Sequence, residues 1–208
     1  MTLLGEAGTV SSGARAAIEG VRSGGWAVLI DDDERWPAHV VSAATRCDAA
    51  HITFLARAAC GVVSLALTAE RCDRLGLRTL GRAATGAVHV VSIEARALVG
   101  SGISAADRAR TITVAVDPAS GPLDIVSPGH VLPLRAGGRS PATGLTEAAI
   151  ALSSLADQGP AAVVCAVLDD GGDVLSGGAA WRWAARHGGP VISTREVEAA
   201  VDTAGRDW

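Results

Sequence analysis

Two stretches constrain the architecture more than anything else in the chain. Trp26–Ile30 (WAVLI) and Ala161–Leu168 (AAVVCAVL) are continuous apolar runs of strand length, without the polar alternation of a half-exposed strand. Strands of this kind need both faces of their sheet covered. Segments of helical period surround them: Ser11–Arg22 with Ser12 as N-cap, Asp48–Ala59, a short helix capped by Thr68, SAADRARTI capped by Ser104, Thr146 to about Ala156, residues 177–187, and a last helix capped by Thr194. Val40–Ala44, Val62–Leu67, Val88–Glu94 and Pro190–Ser193 read as further strands. Residues 76–86 and the proline-rich 117–129 read as loops. Strands and helices alternate without repeat or linker, which predicts one α/β (mixed α+β) domain over residues 1–208.

Composition narrows the function classes. At 49% hydrophobic residues the chain is expected to pack a core. A net charge of -4 and a pI near 5.7 provide no basic face for nucleic acid or an anionic membrane. No apolar run approaches the about 18 residues that span a bilayer, and the N-terminus lacks a basic segment followed by an apolar one. The four cysteines have no C-x-x-C spacing and read as reduced thiols. A cytoplasmic protein acting on a small molecule is the expectation.

Two constellations could carry chemistry. Ser127–Leu152 places a Ser-Pro-Gly turn before His130, then Arg135, Arg139 and a helix start at Thr146-Glu147. A histidine, two arginines and a helix N-terminus suit an anionic ligand, with His130 as acid or base, because its free pKa lies near neutrality. The same residues are equally consistent with a structural hydrogen bond and an ordinary N-cap. The acidic run Asp31–Glu34 follows an apolar strand, where open α/β sheets place ligands. It is either a cation site or a solvated loop. His39, His51, His89 and His187 have no metal-ligand spacing and read as structural or exposed.

The strings GGWAVLIDDDER, CGVVSLALTAERCDRLGL, GSGISAADRARTI, SPGHVLPLRAGG and LTEAAIAL, in this order within residues 12–202, resemble 3,4-dihydroxy-2-butanone 4-phosphate synthase of riboflavin biosynthesis. The resemblance implies a three-layer domain with a mixed twisted sheet and a homodimer with active sites near the subunit interface. It implies conversion of ribulose 5-phosphate to a four-carbon ketone phosphate and formate with Mg²⁺ or Mn²⁺. The family motif Asp-Asp-Glu-Asp-Arg-Glu-Asn-Glu-Gly-Asp begins here as Asp31-Asp32-Asp33-Glu34-Arg35 and continues as Trp36-Pro37-Ala38-His39-Val40. Trp36 thus stands at a metal-binding glutamate and Leu145 at the other ligand, a histidine. Ser64 replaces a cysteine, Ala166 a glutamate, and Ala142 an arginine for which Arg139 could substitute. Arg35, Ser104, Asp107, Arg108, His130, Arg135, Thr146 and Glu147 are retained.

These replacements favour a repurposed enzyme in specialised metabolism: no metal cofactor, lyase or isomerase-type acid/base chemistry, and a less polar small substrate. His130, Asp107 and Ser64 would be its catalytic residues. Arg35, Trp36, Ser104, Arg108, Arg135, Arg139, Leu145 and Thr146 would bind substrate, Arg35 or Arg108 as anion anchor and Trp36 with Leu145 as an apolar wall. Two competitors stand beside it. One is a non-catalytic pseudoenzyme that binds a metabolite or pairs with an active synthase. The other is a true synthase holding metal through Asp32, Asp33 and Glu34.

Overall fold

The computed structural model describes residues 10–82, 88–138, 140–141 and 144–205. Helix α1 (Ser12–Arg22) leads into β1 (Trp26–Ile30) and β2 (His39–Ala43), followed by a 3-10 turn (Ala44–Arg46) and α2 (Ala49–Ala58). Then come β3 (Ser64–Leu67), α3 (Ala69–Arg74), β4 (Thr79–Arg82), β5 (Val88–Val90) and β6 (Ile93–Ala95). The order continues α4 (Ala105–Val116), a 3-10 turn (Pro122–Asp124), β7 (Ile125–Arg135), α5 (Leu145–Leu155), β8 (Ala161–Ala166), α6 (Gly177–His187), β9 (Val191–Ser193) and α7 (Thr194–Ala204).

The strands form one mixed sheet in the order β4-β5-β7-β3-β8-β2-β1-β9, with β6 paired to β7 beside it. Alternation along each strand divides the core into two layers. In β3, Leu65 and Leu67 join one apolar cluster and Ala66 the other; in β8, Val163 and Cys165 face the first, Ala162 and Val164 the second. Residues of α2, α4 and α6 complete the first cluster, and those of α1, α5 and α7 the second. The result is the expected three-layer mixed α/β domain. Helix α5 is buried almost all round, from Thr146 to Leu155, so it is a core helix rather than an amphipathic surface one. Its small residues (Ala148, Ala149, Ala151) permit close approach to the sheet.

The strands WAVLI and β8 and the helix 177–187 lie where the periodicity puts them. Four local expectations change. The N-caps of α1 and α7 are Ser11 and Ser193, one residue earlier than expected, because their hydroxyls accept from Ala14 N–H and Glu196 N–H. Thr79–Arg82, expected as loop, adds a strand. Val88–Glu94 splits into β5 and β6, which pair with different parts of β7. The Ser-Pro-Gly turn is instead an irregularity inside β7. Ile93 pairs with Val131 while the next residue, Glu94, pairs with Val126, so residues 127–130 bulge out of the ladder. Gly129 is required there, since a Cβ would stand 2.1 Å from the Ile93 backbone. The bulge contains the cis Ser127–Pro128 bond and ends on His130.

Candidate functional site

His130 emerges from the bulge with its ring half exposed and its Nδ1 bonded to the Glu94 carboxylate on β6. A carboxylate only accepts, so Nδ1 carries the proton and the lone pair of a neutral ring sits on Nε2. Glu94 also packs against Gly102, where φ is +77° and an added Cβ would lie 1.6 Å from Glu94 Oε1. That glycine belongs to a loop tied down by Asp107, whose carboxylate accepts from Gly100 N–H (3.0 Å), Gly102 N–H (3.0 Å) and the Ser101 hydroxyl (3.2 Å). The Gly100 N–H, the Ser104 hydroxyl and the Gly102 N–H hold the Asp107 carboxyl below the usual range. Ser104 caps α4 by accepting from Asp107 N–H at 3.1 Å. His130, Glu94, Asp107 and Ser104 thus form one linked cluster, with Asp107 holding the loop rather than meeting His130. Glu94 was missed from sequence because its partner lies 36 residues away.

A second cluster surrounds the acidic loop. Asp31 is buried; burial pushes its carboxyl up, but a fork from Arg35 (2.9 and 2.7 Å) and the Arg35 N–H (2.6 Å) outweigh this and leave its pKa lowered. Asp32 accepts from Thr194 Oγ1 (3.0 Å) and Arg195 N–H (2.9 Å) at the start of α7, and Asp33 pairs with Arg195 at 2.9 Å. Much of the run therefore complements a helix N-terminus. Trp36 turns inward into the second apolar cluster, and Leu145 packs against that cluster as well. The Trp36 Nε1–H is buried without an acceptor, a cost of about 1–3 kcal/mol. His39 stacks edge-on to Trp36, with ring centroids 5.8 Å apart. Ser64 opens β3, level with Leu132 and Val164.

The expected anion anchors are engaged elsewhere. Arg135 forks onto Asp73 (2.6 and 2.9 Å) and donates to Ala69 O (3.0 Å), stapling β7 to α3. Arg35 is bound to Asp31 as described. Arg108 donates from Nη1 to Gly61 O at 3.0 Å while its buried Nε has no acceptor. Thr146 is buried as the second residue of α5, whose N-cap is Gly144, so its hydroxyl is not the expected cap. Glu147 Oε1 instead accepts from Gly137 N–H at 2.7 Å and folds the preceding loop back onto the helix. Arg139 and Ala142 lie outside the described residues.

Among the described residues no three His, Cys, Asp or Glu side chains converge as a metal cage. An indole and an isobutyl group have no lone pair to offer, so positions 36 and 145 do not fit a metal. The exposed carboxylates of Asp32, Asp33 and Glu34 have the oxygen chemistry a hard cation takes, but Asp32 and Asp33 answer the start of α7 and Arg195, and the three do not converge. A thiol pair lies near β8: Cys60 Sγ is 3.7 Å from Cys165 Sγ. Hydrogen bonding from Cys165 lowers the Cys60 pKa to about 6, while that of Cys165 is pushed up. No helix of the described residues is long and apolar enough to cross a membrane.

Comparison with known proteins gives this geometry a family. The model of 3,4-dihydroxy-2-butanone 4-phosphate synthase matches residues 15–200. The synthase of Ralstonia nicotianae is 40% identical over 188 residues, covering 88% of this chain and 83% of its own; that of Sodalis glossinidius is 34% identical, covering 95% and 94%. The synthase of Pseudomonas syringae is 41% identical over 74% of this chain, which spans only 44% of that longer relative. A crystal structure of the synthase in complex with two magnesium ions superposes with a TM-score of 0.83 at 30% identity, covering 91% of this chain and 96% of its own. These findings correct two expectations. Relatives at 34–41% identity over most of the chain bear the name of the ordinary synthase, which favours the true-synthase reading over a repurposed enzyme. A structural relative holds magnesium, which overturns the expectation that no metal belongs to this reaction. With the family model matched over residues 15–200, the chain belongs to the 3,4-dihydroxy-2-butanone 4-phosphate synthase family.

Proposed function

We propose that this chain catalyses the reaction of its family, converting ribulose 5-phosphate to 3,4-dihydroxy-2-butanone 4-phosphate and formate. The observation that carries the reading is the His130–Glu94 pair, held on a strand bulge beside the Asp107 loop. A histidine whose Nδ1–H is committed to a carboxylate offers Nε2 as a base, and the carboxylate stabilises the imidazolium that forms. His130 would take and return the proton at the carbons that become enediolates. Asp107 and Ser104 position the loop next to it, and Ser64 lies on the β3 strand end. Arg108, with an unanswered Nε–H, is the strongest of the expected anion anchors. Mg²⁺ would supply charge stabilisation for the enediolate, and Asp32, Asp33 and Glu34 are the carboxylates that would have to leave their present partners to hold it. A cytoplasmic homodimer belongs to the same proposal, checked by sedimentation.

The test is formate release from ribulose 5-phosphate in the presence of Mg²⁺, followed with a coupled formate assay. Turnover at ordinary enzymatic rates, lost in His130→Ala, is expected. Formate release no higher than in that variant would sink the proposal.

A further inference from the structure

We propose that Cys60 and Cys165 are a peroxide-reactive pair, in which the Cys60 sulfur attacks a hydroperoxide and Cys165 resolves the product into a Cys60–Cys165 disulfide. The inference stands apart from the synthase reading, since neither residue has a part in that mechanism. Lying 105 residues apart, the two cannot be paired from sequence spacing. The fold brings them together where the connection from α2 to β3 meets the end of β8. Cys60 Sγ and Cys165 Sγ are 3.7 Å apart. The Cys60 N–H donates to Ala166 O at 3.1 Å, so the two backbones are held side by side one residue from the sulfur contact. Much of the approach that a disulfide needs, to about 2.05 Å between sulfurs, is therefore already made.

Exposure divides the work between the two thiols. Cys165 is 1% exposed and keeps its proton, which it donates to Cys60. Cys60 is half-buried. The bond from Cys165 outweighs the effect of burial, the N–H groups of Val62, Cys60 and Ala166 add to it, and the Cys60 thiol is held near a pKa of 6. At pH 7 it is mostly thiolate, the form that attacks peroxide. An accessible thiolate beside a second thiol is the arrangement found at redox-reactive cysteines. Cys47 and Cys72 offer the contrast, because both are buried and burial pushes both thiols up.

The steps balance. The Cys60 thiolate attacks one peroxide oxygen and the O–O bond breaks. The departing oxygen takes up the proton that Cys60 gave to solvent on ionising, which leaves Cys60 as a sulfenic acid. The Cys165 sulfur then attacks the Cys60 sulfur, the S–O bond breaks, and the Cys165 proton departs with the hydroxyl as water. Two thiols are oxidised to one disulfide, and the hydroperoxide is reduced to an alcohol and water. Gly61, next to Cys60, accepts from Arg108 Nη1 at 3.0 Å, so the new bond would also tie the support of that arginine to the middle of the sheet.

The experiment uses the full chain, reduced with dithiothreitol, desalted and exposed to hydrogen peroxide at pH 7. Remaining thiols are capped with N-ethylmaleimide under denaturing conditions and the peptides are read by mass spectrometry. Two of the four cysteines are expected to escape capping, joined in one Cys60–Cys165 cross-linked peptide, and dithiothreitol should return them to thiols. The bond should form about ten- to a hundredfold faster than Cys47 or Cys72 is oxidised. Cys165→Ala should stop at the sulfenic acid, so that dimedone labels Cys60 about tenfold more than in the wild type. Cys60→Ser should leave Cys165 reduced. If either variant fails to fold, the wild-type peptide still decides. Absence of the cross-linked peptide overturns the proposal, and so does oxidation of Cys47 or Cys72 as fast as Cys60.

Discussion

The His130 cluster and the Trp36 cluster lie in one molecule and are held together in opposite ways. Around His130 polar groups and a glycine hold one another: Asp107 fixes the loop that carries Gly102, Gly102 leaves room for Glu94, and Glu94 orients His130. Substituting any one would disturb the next. Around Trp36 the residues build a different kind of structure. Asp31 and Asp32 support α7, Trp36 and Leu145 enlarge the apolar layer, and His39 adds a neutral ring. Interlocked hydrogen bonds constrain a cluster as a unit, whereas a loop beside a deformable apolar layer accepts exchange one residue at a time.

The largest expected effect breaks the first cluster. His130→Ala should lower formate release about 10²–10⁴-fold, the usual contribution of a general acid or base. Glu94→Gln should lower it less and shift the pH–rate profile, because the amide no longer stabilises the imidazolium. A His130→Ala variant with unchanged kcat would transfer the proton work to the Trp36 cluster and reverse the comparison.

The asymmetry between the clusters also explains how much was legible in the sequence. WAVLI, the Ala161 strand and the helix 177–187 were readable because burial on both faces or on one stripe leaves a local pattern. Ser104 and Asp107 were readable as a cap and its neighbour, three residues apart. Glu94 was not, since nothing near it announces a histidine 36 positions on. From sequence the acidic run fits a cation site or a solvated loop, because the helix it supports begins more than 160 residues later. The Ser-Pro-Gly bulge looked like a turn since local propensity cannot show that β6 pairs on both sides of it.

The thiols offer the next measurement. Cys60, four residues before Ser64, is held near a pKa of 6 by the Cys165 thiol, while burial pushes Cys47 up to about 12 and Cys72 to about 11. Iodoacetamide at pH 7 should label Cys60 about 10²–10³ times faster than the other two, allowing for the lower nucleophilicity of a more acidic thiol. Peptide mass spectrometry over time reads the ratio. Loss of formate release in step with labelling would add Cys60 to the site; uniform labelling would contradict the Cys60–Cys165 bond.

A smaller effect probes the structural use of the acidic loop. The Asp31 carboxyl has a lowered pKa in the folded protein, so its contribution to stability is present above the unfolded carboxylate pKa and is lost as pH falls through the folded value. Asp31→Asn should cost about 1–3 kcal/mol near neutrality, since Arg35 and Thr194 lose a charged acceptor. Urea titrations of both proteins from pH 7 downward should converge below the carboxylate range. A gap that persisted at acid pH would mean that the loss is one of packing rather than of charge.

The smallest expected effect is a gain. Trp36→Glu with Leu145→His returns an oxygen and an imidazole ligand to two positions that pack on the second apolar cluster. If the carboxylates of Asp32, Asp33 and Glu34 hold Mg²⁺ in the wild type, the double variant adds ligands to an existing site, and calorimetry should show affinity rising about tenfold, roughly 1.4 kcal/mol. The gain is small because both new side chains desolvate on entering a layer packed by α1, α5 and α7. Each single variant alone should bind Mg²⁺ no better than the wild type, since one buried polar group without its partner costs more than it contributes. A single variant that bound as tightly as the double would show that positions 36 and 145 do not act on the same ion, and the Trp36 cluster would then have to be divided into two separate sites.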